Sequence, residues 1–269
     1  FGTLSIAQIA INNSVSNFVL ISSDKAVRST NIMGASKRLA EICVQALFDE
    51  QNRSTKFAIV RFGNVLQSSG SVIPKFKKQI KEGGPITLTH PEVTRYFMTI
   101  TESAQLVIQA GAMSEGCEVF ILDMGESVKI KDLIYKMIKL SGLTVKDTKN
   151  LEGDIEVKIT GLRPGEKLYE ELLLGDNPQK TFHEKIQKAQ DPFIPFNQLK
   201  IELENLSTLI ESNKAADVKR MLHRLVTSYK SNSKIVDRIY EEQLNYKKDS
   251  KKTSIINNQE NKVIMIKTK

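Results

Sequence analysis

The chain contains no tryptophan, two cysteines and three histidines in 269 residues. Cys43 and Cys117 stand in helix-like and strand-like apolar surroundings, with neither metal spacing nor a pairing pattern. They read as reduced core thiols of a reducing compartment. His90, His183 and His223 are scattered, so no zinc-finger spacing arises and none is assigned a role. No apolar run approaches the roughly 18–20 residues of a membrane span, and no signal-peptide pattern opens the chain. Aromatic-rich RNA-binding motifs are absent too. Hydrophobic content of 40% and charged content of 26% fit an ordinary soluble globular protein. The net charge is +8, but residues 231–269 hold nine Lys/Arg against five Asp/Glu, so +4 of it lies there. The remaining body is only mildly basic, which suits a small anionic ligand better than nucleic acid.

The most informative stretch runs from Phe18 to Lys37. Phe18-Val19-Leu20-Ile21 is a continuous apolar run, the pattern of a short strand buried on both faces of a parallel sheet. It stops at Ser22-Ser23-Asp24-Lys25, gathering two hydroxyls, a carboxylate and an amine at a strand end, where ligands bind in open α/β sheets. A loop through Ser29-Thr30-Asn31 leads to a helix starting near Met33. Met33 and Lys37, four residues apart, share one face of that helix.

This string, with RFGNVL, SSGSVIPKF, TRYFMTI and GLRPGEKLYEELL following in order, resembles the CapD-like polysaccharide biosynthesis proteins. These are nucleotide-sugar 4,6-dehydratases of the extended short-chain dehydrogenase/reductase superfamily. The resemblance covers about residues 1–230. Met33 stands where the superfamily usually has tyrosine, a habit of this branch. Ser29, Gln67 and Thr101 depart from the usual Pro, Gly and Pro; Gln67 is placed near the substrate. The implied fold is α/β, with a Rossmann-like parallel sheet and a smaller C-terminal substrate-binding part. The glycine-rich turn that cradles a dinucleotide pyrophosphate does not occur, so the sequence is expected to be the C-terminal part of a longer protein, lacking the N-terminal half of its nucleotide domain. By itself it is expected to bind NAD(P) poorly.

Along the chain, helices are expected over about 4–11, 33–49, 70–81 (with Pro74 in the first turn), 101–112 and 130–140. A helix over 168–174 would carry Glu170 and Glu171, and two more are expected around 199–212 and 215–229. Strands are expected over 56–62, 86–89, 118–122 and 155–159. Three parts follow: 1–198 as the partial dehydratase domain, 199–230 as C-terminal helices, and 231–269 as a basic tail, largely disordered or weakly helical.

A 4,6-dehydratase oxidises the sugar at C4 with bound NAD or NADP, eliminates water across C5 and C6, and returns hydride to C6. Adjacent Asp24 and Lys25 are the acid/base pair such a scheme needs. The resemblance gives Asp24 the leaving hydroxyl and Lys25 the C5 proton. A neutral Lys25 requires a lowered pKa, which desolvation beside Lys37 could supply. Ser23 would bond a substrate hydroxyl or simply cap the strand end. Lys37, Ser22 and Asn64 are the cofactor candidates. Asn64, Val72, Arg95 and Arg163 are the substrate candidates, the guanidinium forks suiting a diphosphate. Ser68–Ser71 looks like a phosphate nest, and Glu166 is read as bracing its turn. Met33 cannot take a proton, so Lys25, Lys37 or a water must replace the tyrosine, or the chain is a dead relative. No metal is expected.

UDP-N-acetylglucosamine is the implied substrate class, feeding glycan synthesis. The alternatives are a UDP-sugar epimerase and a non-catalytic sugar-nucleotide-binding module. The choice of NAD or NADP and any homo-oligomeric state are left open. The expected location is the cytoplasm, or the cytoplasmic face of the inner membrane should upstream sequence carry membrane helices.

Overall fold

The computed structural model describes residues 1–50, 55–68, 70–171 and 178–231. In chain order the elements are α1 (Gly2–Asn12), β1 (Asn17–Ile21), a single 3-10 turn (Asp24–Ala26), α2 (Ile32–Glu50), β2 (Lys56–Arg61), β3 (Asn64–Val65) and α3 (Val72–Lys81). Then come β4 (Ile86–Leu88), β5 (Thr94–Arg95), β6 (Phe97–Met98), α4 (Ile100–Met113), β7 (Cys117–Leu122), β8 (Val128–Lys129) and α5 (Ile130–Leu140). The last are β9 (Val145–Lys146), β10 (Ile155–Ile159), β11 (Gln179–Lys180), β12 (Ile186–Ala189), α6 (Phe196–Glu211) and α7 (Ala215–Leu225).

The main sheet has the order β1-β2-β7-β12-β11. β1, β2 and β7 run parallel, with Phe18 opposite Phe57 and Phe57 opposite Cys117. β12 and β11 continue the sheet antiparallel. β2 is its central parallel strand, and Phe57 through Arg61 are all buried. Its side chains alternate as a pleat requires. Phe57 and Ile59 join Val119, Ala7, Val44 and Leu47 beneath α1 and α2. Ala58 and Val60 join Phe120, Leu122, Leu106 and Ala110 beneath α4. Burying each of these Phe or Leu side chains contributes roughly 1.5–3 kcal/mol.

β1 departs from the expectation of a strand buried on both faces. It pairs only with β2 among the described residues, its central residues are half-buried, and Ile21 is 46% exposed.

The smaller part is built on parallel strands β4-β10-β9. Ile86, Leu88 and Ile155 pack there against Phe76 and Ile80 of α3 and Ile130, Ile134 and Ile138 of α5. On the other side of α2, the stripe Ala35, Leu39, Ile42, Cys43 and Ala46 receives Leu199, Leu203 and Leu206 of α6 and Leu222 and Leu225 of α7. α7 ends at Leu225, short of the expected 229, because Tyr229 turns back to stack on His223 and bury its ring. α4 begins at Ile100, capped by Thr99, whose side chain accepts from Glu102 N–H.

The expected helix over 168–174 does not form in its described part. Residues 168–171 are bend and coil, and the Leu168 carbonyl accepts from Thr94 N–H and Arg95 Nη1. A carbonyl spent across to β5 is not available to a helix. The remainder of that segment, and the tail from 232 onward, lie outside the described residues. Burial pushes the Cys43 thiol up to about 11 and the Cys117 thiol up to about 12, and both are free. Gln67 has φ +62°, a left-handed conformation that favours glycine; it is exposed and does not line the cleft described next.

Candidate active site

A cleft of about 870 Å³ opens between the end of the main sheet and the smaller part. Its volume falls within the range usual for small-molecule sites. Lys25, Met33, Asn64, Val72, Arg95 and Arg163 line it, together with Lys75, Glu166, Lys167 and Glu170. Six of the ten site residues read from the sequence therefore meet in one place; Ser22, Ser23, Asp24 and Lys37 do not line it.

The turn that carries Asp24 and Lys25 is built where β1 ends. Ser23 caps the 3-10 turn, its hydroxyl accepting from Lys25 N–H and donating to Asp24 Oδ1 at 2.9 Å. Its hydroxyl is thus committed to the local turn. Lys25 Nζ donates to Asp24 Oδ1 at 3.0 Å. Asp24 is fully buried, and its second oxygen, Oδ2, has no hydrogen-bond partner. The Asp24 carboxylate accordingly reaches the cleft through Lys25, which is 28% exposed.

Gly34 makes this packing feasible. A Cβ there would lie 2.2 Å from the Lys25 carbonyl oxygen, so only glycine lets the start of α2 press against the turn. Asn31 Oδ1 accepts from Gly34 N–H at 2.8 Å and closes the helix start. Met33 follows Ile32 in the first turn of α2 and is 49% exposed.

The far wall comes from the Arg163–Glu171 segment. Thr30 Oγ1 and Asn31 Nδ2 both donate to the Gly165 carbonyl, and Lys167 Nζ donates to the Val27 carbonyl at 2.9 Å. Glu166 accepts from Thr89 Oγ1 and Arg95 Nη2 with one oxygen and from Arg163 N–H with the other. Arg95 also donates to the Thr94 carbonyl and lies 3.5 Å from Glu170. Asn64 spends one amide N–H on the Tyr96 carbonyl.

Glu170 is a site residue to which sequence reasoning gave no role. Its side chain is 4% exposed and lies 3.8 Å from Lys25 Nζ, and its Oε2 is buried without a partner. Burial raises its pKa above the ordinary carboxylate value; Lys25 opposes that and Asp24 reinforces it. Only the doubled acidic pair in YEELL hinted at it.

Lys37 stands apart from the main cleft. It lines a recess of about 300 Å³ with Ser22, Ser36 and Thr3. Lys37 is exposed, and its amine has no side-chain partner among the described residues. Ser22 is buried and donates to Glu41 Oε1 at 2.5 Å, so its hydroxyl is engaged away from the recess. Asn64 lies in the main cleft and not beside Lys37. The Lys37 amine is a donor of the kind that a cofactor's ribose hydroxyls would need. Of the serine loop, Ser71 caps α3 by position with its Oγ buried and unpartnered, while Ser69 lies outside the described residues.

Comparison with known proteins places this geometry. The model of a family described as "Polysaccharide biosynthesis protein" matches residues 1–191. Capsular polysaccharide biosynthesis protein CapD of Staphylococcus aureus is 54% identical over 191 residues, which is 70% of this chain and 30% of that protein. A UDP-glucose 4-epimerase of Rickettsia rickettsii is 33% identical over 181 residues, 67% of this chain and 50% of its own length. Among solved structures, Pen from Bacillus thuringiensis superposes with a TM-score of 0.57 at 39% identity, covering 64% of this chain and 52% of Pen. This chain thus spans about a third to a half of the relatives it matches. No helix among the described residues is long and apolar enough to cross a membrane. The family match over most of the chain, together with the parallel sheet and the strand-end turn, shows that the chain belongs to the CapD-like polysaccharide biosynthesis proteins, with the Rossmann-like fold of the extended short-chain dehydrogenases.

Proposed function

We propose that this chain supplies the acid/base turn and the substrate cleft of a nucleotide-sugar 4,6-dehydratase acting on UDP-N-acetylglucosamine or a close relative. The observation that carries the reading is Lys25: its amine lines the cleft while hydrogen-bonded at 3.0 Å to a fully buried aspartate. Transfer of one proton along that bond turns an ammonium–carboxylate pair into a neutral amine and a carboxylic acid. The amine is then the base for C5–H, and the resulting ammonium hands a proton to the departing C6 hydroxyl while the sealed Asp24 acid resupplies it through their hydrogen bond. When the amine later returns its proton to C5, the turn is ready to be reset. NAD or NADP, when bound, supplies the hydride acceptor at C4 and the donor at C6, with Lys37 the residue that would hold its nicotinamide end. Arg95 and Arg163, with Lys75 across the cleft, give the positive lining that a diphosphate needs. The thioether of Met33 takes no proton, so the C4 hydroxyl proton passes to an amine or to water.

The epimerase relative motivates a second reading, in which the same cleft oxidises C4 without elimination. The experiment that separates them incubates the full-length protein with UDP-N-acetylglucosamine in deuterated water, followed by NMR. A 4-keto-6-deoxy product carrying deuterium at C5 is the expected result. Recovery of a C4 epimer replaces the reading with the second one, and tight binding without turnover leaves a recognition module.

A further inference from the structure

Two carboxylates flank the Lys25 amine, and they are not equivalent. Asp24 Oδ1 lies at 3.0 Å and Glu170 Oε1 at 3.8 Å. Asp24 is sealed off completely, whereas Glu170 lines the cleft beside Lys25. Each carboxylate also keeps one buried oxygen, Asp24 Oδ2 and Glu170 Oε2, without a hydrogen bond. Buried carboxylate oxygens left in that state are costly, and they cluster where protons are exchanged. Around Glu170 stand Lys25 and Asp24 from the 3-10 turn, Arg95 from β5, and Lys167 from its own segment.

We propose that Glu170 is a positioning residue for Lys25: it holds the amine in the cleft opposite Asp24 and governs when that amine releases its proton. The inference rests on the reading of Lys25 as the C5 base. While Glu170 is ionised, it favours the ammonium form of Lys25. Once Glu170 carries a proton, that attraction vanishes and the neutral amine becomes cheaper to form. The buried site, which favours the protonated form of Glu170, supports the same switch. No further reactant is needed, since the proton only changes places among Lys25, the two carboxylates and water.

The test compares wild type with Glu170→Gln in the full-length protein by two readouts. The first is the pH dependence of Lys25 acetylation by acetic anhydride, scored by peptide mass spectrometry against exposed Lys37 as internal reference. Removing a charge at this distance lowers the Lys25 midpoint by about one pH unit at near-aqueous screening. The second is the pH–rate profile with the nucleotide sugar. Its rising limb moves to lower pH by a similar amount, kcat at the plateau falls on the order of 10-fold or more, and KM stays within about threefold. Should Glu170→Gln not fold, Glu170→Asp keeps the charge with a shorter reach, and predicts an unmoved midpoint with a reduced kcat. Superimposable acetylation curves for wild type and Glu170→Gln overturn the proposal. A raised KM with an unmoved profile also overturns it, making Glu170 an anchor for Arg95 only. A shifted Lys25 midpoint in a protein that transforms no nucleotide sugar upholds the grip of Glu170 on Lys25 and sinks the dehydratase reading instead.

Discussion

Glu41→Gln lowers the unfolding free energy by about 3–5 kcal/mol, the range for removing one partner from a buried ion pair. Glu41, on α2, is fully buried. Its carboxylate accepts from Arg61 Nε at 2.8 Å, Arg61 Nη2 at 2.5 Å, Arg38 Nη1 at 2.8 Å and Ser22 Oγ at 2.5 Å. Arg61, at the end of β2, also donates to Asp191, and both arginines are almost wholly enclosed. A glutamine keeps the shape but withdraws the charge, leaving two buried guanidiniums to share the single Asp191 carboxylate. Thermal unfolding of this chain at neutral pH should show the midpoint falling by roughly 10 °C for a protein of this size. A drop below about 1 kcal/mol would mean that water enters the cluster and solvates the arginines.

The same cluster dictates an acid limb. Burial alone would push the Glu41 pKa up, but the hydrogen bonds and charge of Arg61, then Arg38 and Ser22, outweigh it and hold the carboxyl below its ordinary value. A carboxylate whose folded pKa is depressed contributes stability that is fully present above its unfolded pKa. That contribution is lost as pH falls through the folded value. Wild type should therefore lose stability more steeply than Glu41→Gln once the pH drops below about 4.5, and the two curves should converge in acid.

Gly34→Ala is the second substitution with a large effect, and its sign runs against helix propensity. At an ordinary interior helical position the change stabilises by about 1 kcal/mol. Here the new methyl meets the Lys25 carbonyl oxygen at 2.2 Å and the Ser29 side chain at 3.2 Å. Backbone cannot swing aside as a side-chain tip can, so either α2 or the 3-10 turn has to move. Overpacking of this kind costs roughly 1–3 kcal/mol. The catalytic cost is larger, since displacing a reacting group by about 1 Å can remove about 100-fold in rate. The expected outcome is a folded variant with a circular dichroism spectrum like wild type, a modestly lower midpoint, and, in the full-length protein, the proposed nucleotide-sugar turnover down about 100-fold at unchanged nucleotide-sugar binding. Wild-type turnover would show that the Asp24–Lys25 turn tolerates displacement, and would weaken its assignment as the reacting pair.

How much of this could be read from the chain depended on sequence distance. The runs at 18–21 and 56–61 and the apolar spacing of α2, α3 and α5 declare their elements, because strand and helix periods are local. The strand-end cluster at 22–25 and the position of Met33 are local as well. Glu41, Arg61 and Asp191 are not: Glu41 sits in a helix where a glutamate normally meets water, and its partners come from β2 and from a segment 150 residues on. Only the folded sheet reveals that its charge is enclosed. Glu170 was hidden differently, since KLYEELL has helical spacing, yet the Leu168 carbonyl is used by β5 and the backbone over 168–171 is irregular. The antiparallel addition of β12 escaped because IQKA is short and half polar.

The attachment of the Gly165 turn to the start of α2 has a consequence for specificity. Thr30, Asn31 and Lys167 tie that segment to the residues just after the acid/base turn. Glu166 carries the tie onward to Arg95 and Thr89. One bank of the cleft is therefore welded to the chemistry, and a change there is felt at Lys25. Val72 and Lys75 of α3 also line the cleft; α3 packs on an isoleucine-rich core that Leu168 joins and has no hydrogen bond to the Asp24–Lys25 turn among those described. On the proposed function, substitutions at Val72 and Lys75 are expected to change nucleotide-sugar preference with less effect on the Asp24–Lys25 turn than substitutions in the 163–167 segment.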